Sequence, residues 1–418
     1  MARRRKGGTV QRGKYVLIML FLGLSISFAE WESIGPEGGQ VKNIVQSYAD
    51  GDVLYATSGT SPTLVLKSVN SGDSWSVAGS FSWSNYCMTI GPTDNLYVGS
   101  SNRIYRSSNG GASWTYSTFT NLYVYDIVAH PTDPSVIYGC GYKYTGSFWV
   151  IAFVKSSNGG TSWTETQLET VQSYGRCIAV SPSSPNTVYV GGYSFPSPYT
   201  PKLFKSTDGG TSFTDISWSG WAGQYYVYSL AVHPTNPDVL CAGLYYDIWR
   251  STNGGTTWTE VTTNYYYNYD MAWSAANPDI VYSAAYNSIY RSLNGGLTWT
   301  SSSSGLDGTS FMTVAADRTS SANAFTGNNY GFFKSETTGS SWVESNEGLI
   351  IGKVLAMGDT PGNPSRIFMQ IEDVGVFLTT DNGDSWTRLG TPLSCGDFCS
   401  IVVHPTNPNT VLALEGAG

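Results

Sequence analysis

The chain of 418 residues holds 30 acidic against 22 basic residues, a formal net charge of −8, and only 12% of it is charged. A nucleic-acid-binding face needs clustered Lys and Arg, and beyond the N-terminal segment no basic stripe occurs. Aromatic residues reach 14%, with 47 Gly and 18 Pro, a composition of short strands and many turns.

Residues 1–29 read as a secretory signal. Arg3, Arg4, Arg5, Lys6, Arg12 and Lys14 precede an apolar run from Tyr15 to Phe28 that ends in small residues at Ser27-Phe28-Ala29. The run is short for a membrane anchor, which needs roughly 20 apolar residues. The segment carries six basic residues and no acidic one, so the chain without it stands at −14. An exported protein is expected, secreted or otherwise extracytoplasmic, with no stable membrane insertion after cleavage.

From residue 30 to 418 one pattern recurs: Ser/Thr, any residue, Asp/Asn, any residue, Gly, any residue, Ser/Thr, aromatic. It occupies residues 68–75, 107–114, 156–163, 206–213, 251–258, 292–299, 335–342 and 379–386, and only Thr337 departs from it in the Asp/Asn slot. Successive closing aromatics lie 39, 49, 50, 45, 41, 43 and 44 residues apart. That period, with no linker to break it, implies one array of small supersecondary units of propeller-blade length. In each copy the Asx side chain is expected to accept amide hydrogen bonds from two residues on, and the Gly two places after it to take a positive φ. Burying the closing aromatic stabilises each unit by roughly 1.5–3 kcal/mol. Asn stands at Asn70, Asn109, Asn158, Asn253 and Asn294, and Asp at Asp208 and Asp381. An acceptor kept without its charge favours a turn-building role over metal binding.

These nonapeptides resemble the Asp-box, or BNR, repeat of sialidases, xyloglucan-degrading glycosidases, the sortilin luminal domain and a plastid photosystem assembly factor. The resemblance covers nearly the whole chain after the signal and implies a β-propeller. It leaves function open, since one scaffold serves hydrolases, receptors and assembly factors.

Within a unit, a short apolar strand such as Ile127-Val128-Ala129 meets a Pro-rich turn, His130-Pro131-Thr132-Asp133-Pro134. A second strand follows at Val136-Ile137-Tyr138, a third at Phe153-Val154-Lys155, and the repeat turn leads into a fourth at Trp163-Thr164. The expected fold is all-β, a propeller of four-stranded antiparallel blades, about eight in number, with rings of seven or nine also compatible. Trp31-Glu32-Ser33-Ile34 reads as an outer fourth strand without its preceding three. Residues 400–403 and 411–414 read as a first and second strand, so the last blade is incomplete. Either the N-terminal strand completes it, or the chain is a fragment of a longer protein, and the fragment is the favoured reading.

Antiparallel order puts the Pro-rich turns and the repeat turns on one face of the ring and the variable loops on the other, where function tends to sit. Those loops are rich in aromatics, which offer flat apolar faces with polar tips. Tyr123, Tyr125, Trp149, Trp218, Trp221, Tyr226, Tyr246, Tyr266 and Tyr269 are the candidate ligand-binding residues; wedging between blades is the competing role for each.

Four residues before the His of the Pro-rich turn, or its equivalent, a slot at the mouth of the innermost strand holds Cys87, Asp126, Cys177, Ser229, Asp270, Met312 and Ser400. Asp126 and Asp270 are its only carboxylates, and as an acid/base pair they are the candidate catalytic residues, weighed against two solvated carboxylates at a channel mouth. The resemblance adds no enzyme. No Arg-Ile-Pro motif occurs, as sialidases carry, and nothing matches the Arg-Thr-Asp-Val-Gly-Gly-like stretch of the xyloglucan-degrading relatives.

His130, His233 and His404 share one turn in different blades and cannot converge on a metal. Cys87, Cys140, Cys177 and Cys241 lie in strand patterns as buried small residues, while Cys395 and Cys399 are close enough to bridge. No cofactor is expected. The functional expectation is a non-catalytic module that binds an extracellular glycan or protein through its aromatic loops, against a glycoside hydrolase or an assembly and scaffold factor.

Overall fold

A computed structural model describes residues 37–195, 199–262, 265–349 and 351–352, residues 354–390 and 400–414 with short interruptions, and the pairs 2–3 and 32–33. The signal segment, the strand proposed at Trp31 and the Cys395–Cys399 pair therefore lie outside the described residues, apart from those two pairs. The chain divides into two compact units, residues 37–352 and a second made of residues 1–36 with 353–418.

The protein is an all-β propeller. In the unit 37–352, blade 1 is the meander Val41–Gln46, Leu54–Ser58, Thr63–Ser68, Ser76–Phe81. Blades 2 and 3 form a continuous six-stranded sheet. There, Leu96–Ser107 serves as second and third strands of blade 2, and Thr115–Ala129 runs from the outermost strand of blade 2 into the innermost of blade 3. Asn102 and Asn121, at φ 58° and 56°, take the left-handed conformation where these strands turn, and the Asn102 carboxamide accepts the Leu122 amide. Blade 4 begins at Ser173–Val180, blade 5 at Val227–Val232, blade 6 at Asn268–Trp273 and blade 7 at Thr313–Ala316, each the first strand of a four-stranded meander.

Blade 7 closes on blade 1. The amides of Gly38, Gly39 and Val41 donate to Leu349, Tyr330 and Asn328, and the Trp75 amide donates to Glu347. Val41, Ile44, Leu54 and Trp75 share a core with Phe325, Phe332 and Leu349. The other unit holds an eighth four-stranded sheet, with strands Val354–Thr360, Asn363–Ile371, Gly375–Thr379 and Thr387–Gly390, and a hairpin of Ser400–Val403 with Val411–Leu414. Among the described residues, the unit 37–352 thus closes seven blades into a ring, and the other unit holds a further four-stranded sheet on the eighth repeat.

The recurring turn is built by side chains. The Ser206 hydroxyl donates to Asp208 Oδ1 and accepts the Gly210 amide at 2.8 Å, while the Asp208 carboxylate accepts the amide and hydroxyl of Ser212. The Asx acceptor thus serves the amide four residues on, not the one two residues on that its sequence pattern predicts. A loop of two successive left-handed residues, Gly209 and Gly210 at φ 66° and 80°, lies between donor and acceptor and displaces the bond. Asn70, Asn109, Asn158, Asn253 and Asn294 repeat the geometry with Nδ2 donating to the closing Ser or Thr, and Thr337 substitutes its hydroxyl as acceptor of the Ser341 amide. In blades 3 to 6 the turn is then tied to the Pro-rich turn of its own blade: the Gly159, Gly209, Gly254 and Gly295 amides donate to Ser135, Asn186, Asp238 and Asp279. Basic residues on third strands tie it to the blade before, as Lys155 does to Gly209 O and Lys205 to Gly254 O. Trp75, Trp258, Trp299 and Trp342 are buried and Trp114, Trp163, Phe213 and Trp386 half-buried, so none of the eight closing aromatics faces solvent.

Candidate ligand-binding face at the channel mouth

A channel of about 730 Å³ runs through the unit 37–352, lined by the innermost strands of all seven blades. At its mouth those strands share one irregularity. In blades 1 to 6 the pairing with the second strand slips by one residue, between Val41 and Asn43, Asn85 and Cys87, Val124 and Asp126, Gly175 and Cys177, Val227 and Ser229, and Asn268 and Asp270. Each slip is a β-bulge, which frees one residue from the ladder and re-aims its side chain. The freed residues are Lys42, Tyr86, Tyr125, Arg176, Tyr228 and Tyr269, and all six line the channel. Bulges leave no mark in composition, so the sequence points to Tyr125 and Tyr269 as loop aromatics and misses Lys42 and Arg176.

The slot predicted from spacing is the next residue in each strand. It holds Cys87, Asp126, Cys177, Ser229 and Asp270 as expected, but in blade 7 the residue in register is Thr313, which pairs with Gly327 as Asp270 pairs with Ala284. Met312 lies one position short of it, because blade 7 lacks the His-Pro turn that anchors the count. Ser400 keeps its place in the second unit, opposite Leu414.

From blade 1 to blade 6 the slot residue bonds the next blade. Asn43 Nδ2 donates to Asn85 Oδ1 at 2.7 Å, Ser229 Oγ to Asn268 O at 2.8 Å, and the Cys87 and Cys177 thiols to Val124 O and Val227 O at 3.8 and 3.7 Å. The carboxylates accept instead. Asp126 takes the Ile127 amide on Oδ1 and the Ile178 amide of blade 4 on Oδ2, both at 2.8 Å. Asp270 takes the Met271 amide at 2.8 Å and the Val314 amide of blade 7 at 2.9 Å. Both are half-buried on the channel wall, yet the wall around them is dense enough that desolvation outweighs the amide bonds. Burial pushes the Asp126 carboxyl up to about 7 and that of Asp270 in the same direction. Asp126 also feels the charge of Asp270. Their hydrogen bonds make both of them inter-blade staples.

Above the bulges the loop aromatics form one connected surface. Tyr86 stacks on Tyr125 at 5.5 Å, Tyr123 on Tyr142 at 5.2 Å, and Trp149 meets Tyr142 edge-on. The contacts continue from Tyr142 to Tyr174, from Tyr174 to Tyr193, and from Tyr193 to Tyr226 at 4.3 Å. Tyr226 touches Tyr228 and Tyr245, Tyr245 shares a 2.8 Å hydroxyl hydrogen bond with Tyr267, and Tyr267 packs on Tyr269. Tyr246 reaches Tyr266, which is 45% exposed. Edge-on and offset pairs of this kind are favourable beyond their buried area and hold the rings rigid. Burial raises the phenol of Tyr142 to about 12 and that of Tyr269 likewise, so both hydroxyls stay protonated near neutral pH. The structure therefore brings Tyr123, Tyr125, Trp149, Tyr226, Tyr246, Tyr266 and Tyr269 into one surface with the channel mouth. It does not bring in the two remaining Trp. Trp221 is 2% exposed and, with Trp218 against it, packs into a blade core beside Trp249 and Trp258. A short 3-10 turn, Ser219–Trp221, drives the loop inward, and the pair act as wedges.

The His residues are turn builders: Nδ1 of His130 accepts the amides of Thr132 and Asp133, that of His233 those of Thr235 and Asn236, and that of His404 the Asn407 amide. No His, Cys, Asp or Glu group suited to a metal occurs among the described residues. Cys87, Cys140, Cys177 and Cys241 are free and buried.

Comparison with known proteins places the fold in a class. The chain is similar to a GH74 enzyme of Niastella koreensis, at 16% identity and a TM-score of 0.61, over 91% of this chain and 70% of that one. It is similar to an ancestral GH74 enzyme at 18% identity and a TM-score of 0.73, over 94% of this chain. It spans 60% of that enzyme's length. YCF48 from Cyanidioschyzon merolae matches over 72% of this chain and 96% of its own, at 14% identity and a TM-score of 0.52. No protein-family profile matches the chain, and no curated protein sequence does. Likeness at these identities shows the architecture alone: the chain is a β-propeller protein.

Proposed function

We propose that the seven-blade ring is a non-catalytic binding module of an exported protein, built on Asp-box repeats, and that it holds an extracellular glycan against the aromatic surface at its channel mouth. The carrying observation is the unbroken run of ring contacts from Tyr86 to Tyr286, set around a channel and bordered by phenol hydroxyls. Sugar rings present apolar C–H faces and hydroxyl edges, which such a surface meets with stacking and hydrogen bonds. Asp126 and Asp270 suit inter-blade staples better than an acid/base pair, because each accepts two backbone amides, one of them from the next blade. Export accords with the N-terminal basic and apolar segment, and no helix among the described residues is long and apolar enough to cross a membrane.

The test is a glycan array with the chain lacking residues 1–29, run beside a reducing-sugar assay on the glycans that bind. Retention without sugar release is the expected outcome. A glycoside hydrolase is the second reading, favoured by the GH74 enzymes among the similar structures, and sugar release abolished by Asp126→Ala or Asp270→Ala would establish it. A scaffold for a protein partner is the third; it predicts pull-down of a protein and an empty array.

A further inference from the structure

Three basic side chains line the channel, and they differ in what they meet. Arg318 follows the innermost strand of blade 7, at the Pro-turn end, and lies on the Tyr48 ring at 3.7 Å. Lys42, a bulge residue at the mouth, donates to Asn85 O at 2.5 Å. Arg176, the bulge residue of blade 4, is the one left without a strong partner. Its guanidinium lies 4.6 Å from the Tyr125 ring centre and 5.5 Å from that of Tyr193, its bond to the Tyr193 hydroxyl is long at 3.5 Å, and its buried Nε has no hydrogen-bond partner. None of the ion pairs among the described residues involves it. The nearest slot carboxylate, Asp126, is committed to two amides.

A half-buried guanidinium without an acid beside it is costly, and a planar donor fork set beside two rings is poised for a carboxylate. We propose that Arg176 receives a carboxylate carried by the ligand, so that the glycan of the reading above, on which this rests, is a sparsely acidic one. Its neutral sugars lie on the tyrosine surface and a uronate enters the channel mouth. Sparse charge follows from the surroundings: the chain is net acidic at −8, and Asp126 and Asp270 lie one residue deeper in the wall, so a densely anionic polymer is repelled.

The experiment is a calorimetric titration with xylotriose and with glucuronosyl-xylotriose, on the parent chain and on Arg176→Gln, Arg176→Lys and Lys42→Met. The acidic sugar is expected to bind the parent at least tenfold more tightly than the neutral one. That preference should shrink with added salt, vanish in Arg176→Gln, survive in part in Arg176→Lys and fall less in Lys42→Met than in Arg176→Gln. Equal binding of the two sugars, or a preference kept by Arg176→Gln at an unchanged melting temperature, overturns the proposal and leaves the glycan reading intact. If Arg176→Gln fails to fold, the charge-retaining Arg176→Lys and the salt dependence of the parent decide. Failure of both sugars alongside an empty glycan array overturns both readings. Binding of a triglutamate peptide in place of either sugar overturns the glycan and moves the site to acidic peptides.

Discussion

The two ends of the seven-blade ring are made by opposite rules. At the end of the Pro-rich and repeat turns, the blades solve the same problem with nearly the same residues, Thr337 standing in for the Asx acceptor in blade 7. A Ser or Thr hydroxyl, an Asx acceptor and a left-handed Gly fold one loop, and its Gly amide is handed to the adjacent turn. At the other end the loops differ from blade to blade, yet the strands below them share a bulge that delivers one unconstrained residue to the channel. Uniformity marks where stability is made. Variation over a shared bulge marks where the ring is free to specialise, and there the aromatics of blades 2 to 6 are concentrated.

The comparison breaks most readily in the blade cores. Trp258→Ala removes a ring that is 4% exposed and packed on Trp221, and should destabilise the unit by about 3–5 kcal/mol in denaturant unfolding. A loss below 1 kcal/mol would mean the closing aromatics do not hold the blades. Gly210→Ala should cost on the order of 1–3 kcal/mol, since the site is left-handed at φ 80° and a Cβ there would sit 2.4 Å from Phe153. The same change at Gly146, with nothing within reach of its Cβ, isolates the backbone share of that cost.

Asp126→Asn should cost about 1–3 kcal/mol, because an amide replaces one acceptor and confronts a backbone donor. It also carries a pH signature. The folded carboxyl titrates near 7 and the unfolded one near 3.8, so between those values the folded state holds the extra proton. The group's contribution is therefore fully present below about 4 and is lost as pH rises towards 7. Unfolding followed from pH 4 to 8 should show that decline in the parent and a flatter profile in Asp126→Asn. Asp381, held down to about 2 by its bonds to Ser385, works with the opposite sign and loses its contribution as pH falls through its own range.

At the other end, Tyr226→Ala should cost less stability than Trp258→Ala, about 0.5–1.5 kcal/mol from its lost ring contacts. It should weaken glycan binding at least tenfold, about 1.4 kcal/mol. A large stability loss with unaltered binding would return Tyr226 to the packing role of Trp221.

These ends also differ in how legible they are. The turn end is written in local chemistry: a hydroxyl, an acceptor and a Gly at fixed offsets are close in sequence and in space, so seven intact copies and Thr337 declare themselves. Even there the bond runs to the fourth residue, since spacing names the partners and not the path of the loop. At the mouth, matching strand contexts put Asp126 and Asp270 in one slot, but their role depends on amides of the next blade, 52 and 44 residues away. Lys42 and Arg176 carry no local signal, because a bulge is a property of two paired strands. Trp218 and Trp221 look like Tyr225 and Tyr226 in sequence and separate only when a short 3-10 turn sends one pair into the core. Closure at seven was likewise hidden: eight units recur with the same turn, and which two meet is decided by contacts such as Val41 with Asn328, far apart in the chain.

The central claim, that the aromatic mouth is a glycan-binding surface, is met most directly by a glycan array read with the parent chain and the double variant Tyr226→Ala, Tyr246→Ala. The parent is expected to retain a defined glycan class, and the double variant, still folded by its cooperative melting, to retain none. An array left empty by the parent, or the same glycans held equally well without the two rings, would contradict it.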